Sequence, residues 1–281
     1  MLKGQIININ SNRYKVLANK KEYICTARGK FRNDKITPLV GDYVEFDEKT
    51  LQMKIILPRK NFLNRPMVAN VDIALIVTSV KEPNLDLNLL DKLLIIIYLN
   101  NIKPVICFTK VDLLNNKENA DFSKIRAYYS KYYDVIDNTE LEKFKKIAQG
   151  KTTILCGQTG AGKSTFINKI DPSLKLDTNE ISKALGRGVH TTRMVSLYDE
   201  GGYFICDSPG FSSISLESFT KEDIRNGFVE FGNYNCKYRD CNHINTEGCQ
   251  VENNKEIFLS RYDNYVSFIK ELNESRSKLF K

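Results

Sequence analysis

The sequence predicts a multidomain α/β protein: a small N-terminal β-barrel, a central parallel sheet covered by helices, and a C-terminal helical domain. Three observations predict it. Residues 1–65 alternate short apolar and polar runs and carry the chain's excess positive charge. Strand-like and helix-like stretches then alternate around the glycine-rich loop Gly157-Gln158-Thr159-Gly160-Ala161-Gly162-Lys163-Ser164. Three cysteines and a histidine fall within fourteen residues, Cys236 to Cys249, ahead of a helical tail. The expected domains are residues 1–66, 67–218 and 219–281.

The 281 residues are 42% apolar and 27% charged, ordinary for a globular protein. The longest apolar run, Leu93 to Leu99, is too short to cross a bilayer. The N-terminus lacks the apolar core of a signal peptide. A cytoplasmic protein with no membrane partner and reduced cysteines is expected. Seven unevenly spaced cysteines argue against a disulfide framework.

Strands are expected at Lys3–Ile9, Arg13–Leu17, Glu22–Thr26, Asp42–Phe46 and Met53–Leu57, with turn residues between them. Five short strands suit a barrel of the oligonucleotide-binding type. Residues 1–65 hold 14 Lys and Arg against 6 Asp and Glu, an excess of eight that equals the whole chain's +8. A basic module beside a neutral one points to a polyanionic partner. Arg28, Lys30, Phe31 and Arg32 interleave cations with an aromatic ring, the combination for phosphate contact and base stacking; the same pattern also fits an exposed turn with one buried Phe.

From Val71 to Val80 the sequence reads as a buried parallel strand, then a helix from Asp86 to Asn100 with Asp86 as N-cap. Lys103–Thr109 is a strand, 118–131 a helix, Tyr132–Ile136 a strand and Thr139–Gln149 a helix stopped at Gly150. Thr152–Cys156 is a strand leading into the glycine-rich loop, and Ser164–Ile170 a helix stopped by Asp171-Pro172. The loop spells G-x-x-x-x-G-K-S, a phosphate-binding pattern. Glycines let backbone N–H groups curl around an anion, and the following helix adds its positive end. Lys163 is expected on the β- and γ-phosphates, Ser164 on a magnesium ion, and Thr165 beside them.

Thr109-Lys110-Val111-Asp112, at a strand end, resembles the guanine-reading motif of GTPases, usually spelled N-K-x-D. Asp112 would accept from guanine's ring N–H and amine, and a carboxylate left unpaired by adenine sets the base choice. Asp207-Ser-Pro-Gly210 follows the strand Gly202–Cys206 and resembles D-x-x-G: Asp207 behind the magnesium, the Gly210 N–H on the γ-phosphate. Gly186–Arg193 looks like a switch segment, in which Thr191 or Thr192 completes the magnesium shell. The base-reading motif precedes the phosphate loop, the reverse of the usual order, so the domain reads as a circularly permuted P-loop GTPase. Phe211 stands where many GTPases place a water-orienting Gln. His190, one of two histidines, is the candidate in its place; contacting RNA or fixing the switch are its other readings.

Cys236, Cys241, His243 and Cys249 read as the ligand set of a structural zinc ion; a chance cluster or a redox pair is the other reading. Cys25, Cys107, Cys156 and Cys206 lie in apolar runs and read as core. Residues 254–281 read as one helix with Ile257, Tyr262, Tyr265, Ile269 and Leu272 on its inner face. An ATPase or small-molecule kinase would require Asp112 to be irrelevant.

Barrel, permuted GTPase and zinc-binding helical domain, in that order, resemble the ribosome small-subunit-dependent GTPases, the RsgA (YjeQ/YloQ) family. The resemblance rests on Arg28–Arg32, Val40-Gly-Asp42, Thr109–Asp112, Gly157–Thr165, Gly186–Arg193, Asp207–Phe211 and the Cys236–Cys249 cluster. It implies GTP and GDP as ligands, Mg2+, one structural Zn2+, and hydrolysis of GTP on the 30S subunit late in its maturation. It also implies contact with 16S rRNA and a monomer. The chain departs from the family where a Ser-Ala-like segment usually helps hold the base; here Asp137-Asn138-Thr139 stands, and Thr109 replaces the usual Asn.

Overall fold

The computed structural model describes residues 1–27, 37–174, 195–207 and 215–279, with backbone alone for Asp207 and 276–279. Its strands are β1 (Leu2–Asn10), β2 (Arg13–Ala18), β3 (Lys21–Ala27), β4 (Tyr43–Phe46), β5 (Gln52–Ile56), β6 (Phe62–Asn64), β7 (Met67–Ala69), β8 (Ile73–Ser79), β9 (Lys103–Thr109), β10 (Asp134–Asp137), β11 (Thr152–Gly157), β12 (Ser196–Asp199) and β13 (Phe204–Asp207). Its helices are α1 (Leu87–Leu99), α2 (Asn116–Tyr129), α3 (Leu141–Ala148), α4 (Lys163–Ile170), α5 (Lys221–Gly227) and α6 (Leu259–Leu279). Among the described residues no helix is long and apolar enough to cross a membrane.

The chain divides into two compact units. The first holds residues 1–75, 140–159 and 163–212; the second holds 76–139, 160–162 and 213–281. β8 passes from one into the other.

In the first unit the five expected N-terminal strands close into a barrel. β1 pairs with β2 and β4, β2 with β3, β3 with β5, and β5 with β4. Alternate residues point inward: Ile6, Tyr14, Val16, Cys25, Val44, Phe46 and Met53 fill the barrel. Gly41 turns the chain into β4 at a φ of 91°, and a Cβ there would lie 2.0 Å from the Ala69 carbonyl oxygen. Asp42 is buried and holds the turn, accepting from the Leu39 N–H at 2.7 Å and from Arg59 Nε at 2.7 Å. β11 runs parallel to β13. β12, antiparallel to β13, meets β1 at Ser196 and Asn8, so barrel and sheet are continuous. Neither β12 nor the β6–β7 hairpin is anticipated by the sequence reading.

In the second unit the strand order is β10-β9-β8, with β10 parallel to β9. The expected Asp86 cap is present: its carboxylate accepts from the Leu89 N–H at 2.9 Å. α1 is apolar along most of its length and packs with α5 and α6 around Phe228, Phe231, Tyr265 and Phe268. Several boundaries differ from expectation by two residues or more, two of them around tyrosines and at the C-terminal helix. Tyr132 and Tyr133 precede β10 in a turn, and the C-terminal helix starts at Leu259, five residues late. Asn253 there has a positive φ of 63°, and Asn254 donates its side-chain amide to the Gln250 carbonyl, so this polar stretch forms turns instead.

Candidate nucleotide-binding site and metal centre

The glycine-rich loop leaves β11, buried along almost all its length, and enters α4. Gly157, Gly160 and Gly162 have φ values of 121°, 76° and 92°. At Gly162 a Cβ would meet nothing, so the backbone angle rather than space demands glycine. The Lys163 ammonium donates to the carbonyls of Gly157 at 3.1 Å and Gln158 at 2.8 Å, folded over the mouth of its own loop. Ser164, next along, is half-buried, while Thr159 and Thr165 are exposed. Phe166 and Ile167 anchor α4, with Phe166 edge-on to Phe144 of α3 at 5.3 Å.

At the end of β9, Thr109 is buried and donates its hydroxyl to the Ala161 carbonyl at 2.7 Å. A smaller side chain than Asn therefore ties the strand end to a loop carbonyl. Lys110 takes a left-handed conformation, φ 59°, and its ammonium donates to the Glu82 carbonyl. The short 3-10 turn Val111–Leu113 follows and presents the Asp112 carboxylate exposed. An exposed acceptor at a strand's carboxyl end is what base reading requires.

Cys236, Cys241, His243 and Cys249 bring one ligand atom each to within 4.8 Å of one another. The Sγ atoms of Cys236 and Cys249 lie 4.0 Å apart, and each is 3.5 Å from His243 Nδ1. Tetrahedral zinc, with bonds of about 2.3 Å to sulfur and about 2.0 Å to nitrogen, sets such atoms about 3.8 Å and about 3.5 Å apart. Burial, and then the Arg225 cation, lowers the His243 pKa, the direction that favours the neutral imidazole a metal needs. Two supports were missed in the sequence, where they read as packing residues only. Tyr262 donates its hydroxyl to the His243 carbonyl at 2.7 Å, and Tyr265 to the Asn242 carbonyl at 2.6 Å. Their i, i+3 spacing on α6 is the available signal.

Residues 56–217 match the RsgA GTPase family, and residues 3–56 match the RsgA N-terminal domain. The chain belongs to the RsgA GTPase family. It is similar to the small ribosomal subunit biogenesis GTPase RsgA of Enterococcus faecalis, 42% identical across 100% of this chain and 98% of that one. The protein of the same name from Limosilactobacillus fermentum is 44% identical over 95% and 96%. Among solved structures, YjeQ from Thermotoga maritima superposes with a TM-score of 0.85 at 30% identity, covering 96% of this chain and 98% of that one. YloQ, a circularly permuted GTPase, gives 0.81 at 34% identity, covering 98% and 96%.

As an RsgA-family protein the chain is a GTP-hydrolysing enzyme that uses GTP and Mg2+. Asp207 ends β13, paired with Ser196. His190, Thr191, Thr192 and Gly210, and the barrel residues Arg28, Lys30, Phe31 and Arg32, lie outside the described residues.

Proposed function

We propose that this chain is a GTPase of small ribosomal subunit biogenesis, working in the cytoplasm as a monomer on the 30S subunit and contacting 16S rRNA. The observation that carries the reading is family membership along the whole chain, together with the glycine-rich loop Gly157–Ser164 and an exposed Asp112 just past the end of β9. The relatives are named for this role. The division of labour follows residues 1–66, 67–218 and 219–281: RNA contact, GTP hydrolysis and a zinc-ordered helical module.

Each site residue then has a role. Asp112 reads guanine and Lys110 packs along the base, while Val111 spaces the two. Gly157 to Gly162 offer backbone N–H groups to the phosphates, Lys163 neutralises the β- and γ-phosphates, and Thr165 flanks them. Ser164 and Asp207, with Thr191 or Thr192, would hold the magnesium ion, which supplies charge neutralisation at the phosphates when bound. Gly210 donates its N–H to the γ-phosphate. His190 positions the attacking water, since Phe211 has no polar group to do so. Arg28, Lys30, Phe31 and Arg32 meet RNA.

The test is phosphate release from GTP with and without purified 30S subunits. Slow release alone and strong stimulation by 30S is the expected outcome. Slow turnover without stimulation would remove the ribosome as activator. His190→Ala with undiminished stimulated turnover would remove the histidine from the chemistry.

A further inference from the structure

β1 pairs with β2 along one edge from Gln5 to Asn10, and with β4 along the other edge only from Leu2 to Gln5. Past β4, that second edge takes up another strand at Asn8, which lies opposite Ser196, the first residue of β12. Ser196 is in turn opposite Asp207 of β13. Asn8, Ser196 and Asp207 stand in one row across three strands, with Asn8 two strand spacings, about 10 Å, from Asp207.

Asn is a poor strand residue, and counting by twos from Ile6 would turn Asn8 into the barrel. A bulge prevents this. Ile6 lies opposite Val16 and Asn8 opposite Lys15, so Ile7 is the extra residue and the phase of β1 shifts by one. Ile9 then packs against the barrel core, and Asn8 instead donates its side-chain amide to the Ser196 hydroxyl at 2.8 Å. β12 is only four residues long, and the ends of short elements open most easily. The Asn8 bond fastens one such end, on the side of β12 opposite β13. The residue it fastens is the one that pairs with Asp207.

We propose that Asn8, a barrel residue, is a positioning residue for the magnesium–nucleotide site: through its bond to Ser196 it fixes the row that ends in Asp207, and so sets the reach of that residue to the ion. This rests on the magnesium role given to Asp207 above. The bulge at Ile7 is the local device that turns Asn8 to this use.

The test measures the affinity of the full chain for a fluorescent, non-hydrolysable GTP analogue, beside the melting temperature. Binding is compared at saturating Mg2+ and in Mg2+-free buffer, with no chelator added, so that the Cys236–Cys249 cluster is left alone. Asn8→Ala and Ser196→Ala each remove the bond. Each should lower the ratio of the two affinities about threefold to tenfold, the size of one net hydrogen bond, and leave Mg2+-free affinity within about twofold of the parent. The exchanged pair, Asn8→Ser with Ser196→Asn, rebuilds an amide–hydroxyl bond between the same positions and should recover most of the ratio. A ratio unchanged in both single variants overturns the proposal, as does an exchanged pair no better than the single variants. So does an equal loss with and without Mg2+ that tracks a fall in melting temperature, the mark of a merely structural role. A parent that binds the analogue equally with and without Mg2+ overturns the magnesium role of Asp207 first and the proposal with it, a separate failure visible before any variant is made.

Discussion

Replacing Arg261 with methionine should destabilise the unit built from residues 76–139 and 213–281 by about 3–5 kcal/mol at neutral pH. Arg261, Asp91 and Glu230 are all fully buried. The guanidinium reaches Glu230 from Nε at 2.6 Å and Nη2 at 2.9 Å, and Asp91 from Nη1 at 2.7 Å. It also stacks 4.5 Å from the Phe228 ring centre. Tyr128 donates to Glu230 at 3.1 Å, Tyr129 to Asp91 at 2.6 Å and Asn264 to Asp91 at 2.6 Å. One cation thus serves two carboxylates that water does not reach. Methionine keeps much of the volume and removes the cation, which is why the cost exceeds the ~1 kcal/mol of an exposed pair. The pH dependence has a definite sign. Burial pushes the Asp91 pKa up, against the pull of Arg261, Tyr129 and Asn264. Without Arg261 the main opposition is gone, so the folded variant binds more protons than the unfolded chain. Stability held below the ordinary carboxylate pKa is lost as pH rises through the raised one. The deficit is therefore largest at neutral pH and shrinks on acidification. Urea unfolding followed by circular dichroism at pH 7 and pH 5 measures it. A deficit under about 1 kcal/mol at neutral pH, or one that grows in acid, would refute the reasoning.

Gly41→Ala should cost about 2–6 kcal/mol, because a positive φ and a Cβ driven into the Ala69 carbonyl add together; an unchanged urea midpoint speaks against it. Thr109→Val keeps the shape but strands the Ala161 carbonyl, at a cost of about 1–3 kcal/mol, and should raise the GDP dissociation constant; a variant with parental affinity and melting temperature would sink that link. Purified protein should carry about one zinc per chain, and chelation should lower its melting temperature; the Cys236→Ser protein, made without chelator, should match the chelated parent.

What the sequence made legible is what is encoded within a few residues. Lys103–Thr109 is a strand with the bounds its apolar run gives, and Asp86 caps its helix because a cap needs only its own N–H neighbours. The phosphate loop and the Cys/His set are local for the same reason: ligand spacing along the chain limits ligand spacing in space. The barrel strands announce themselves by alternation. The hairpin at 62–69 did not, because Pro66 interrupts an apolar run too short to show a period. The pattern extends the C-terminal helix too far because Ile257 is apolar and in phase, yet it is buried from a turn. The largest omission is the charge cluster. Asp91 sits within a run of leucines and isoleucines on α1, where periodicity alone makes it an outward-facing residue. Arg261 lies 170 positions later in a polar helix and by the same logic faces water. Each is an exception to burial rules when taken singly, and the two become intelligible only as partners. No local rule pairs them. That pairing also explains why Thr109–Asp112 and the Cys236–Cys249 cluster fall in one compact unit although they lie far apart along the chain: α1 and α6 share an ion cluster and an aromatic core, and neither charge could stay buried if the other helix left.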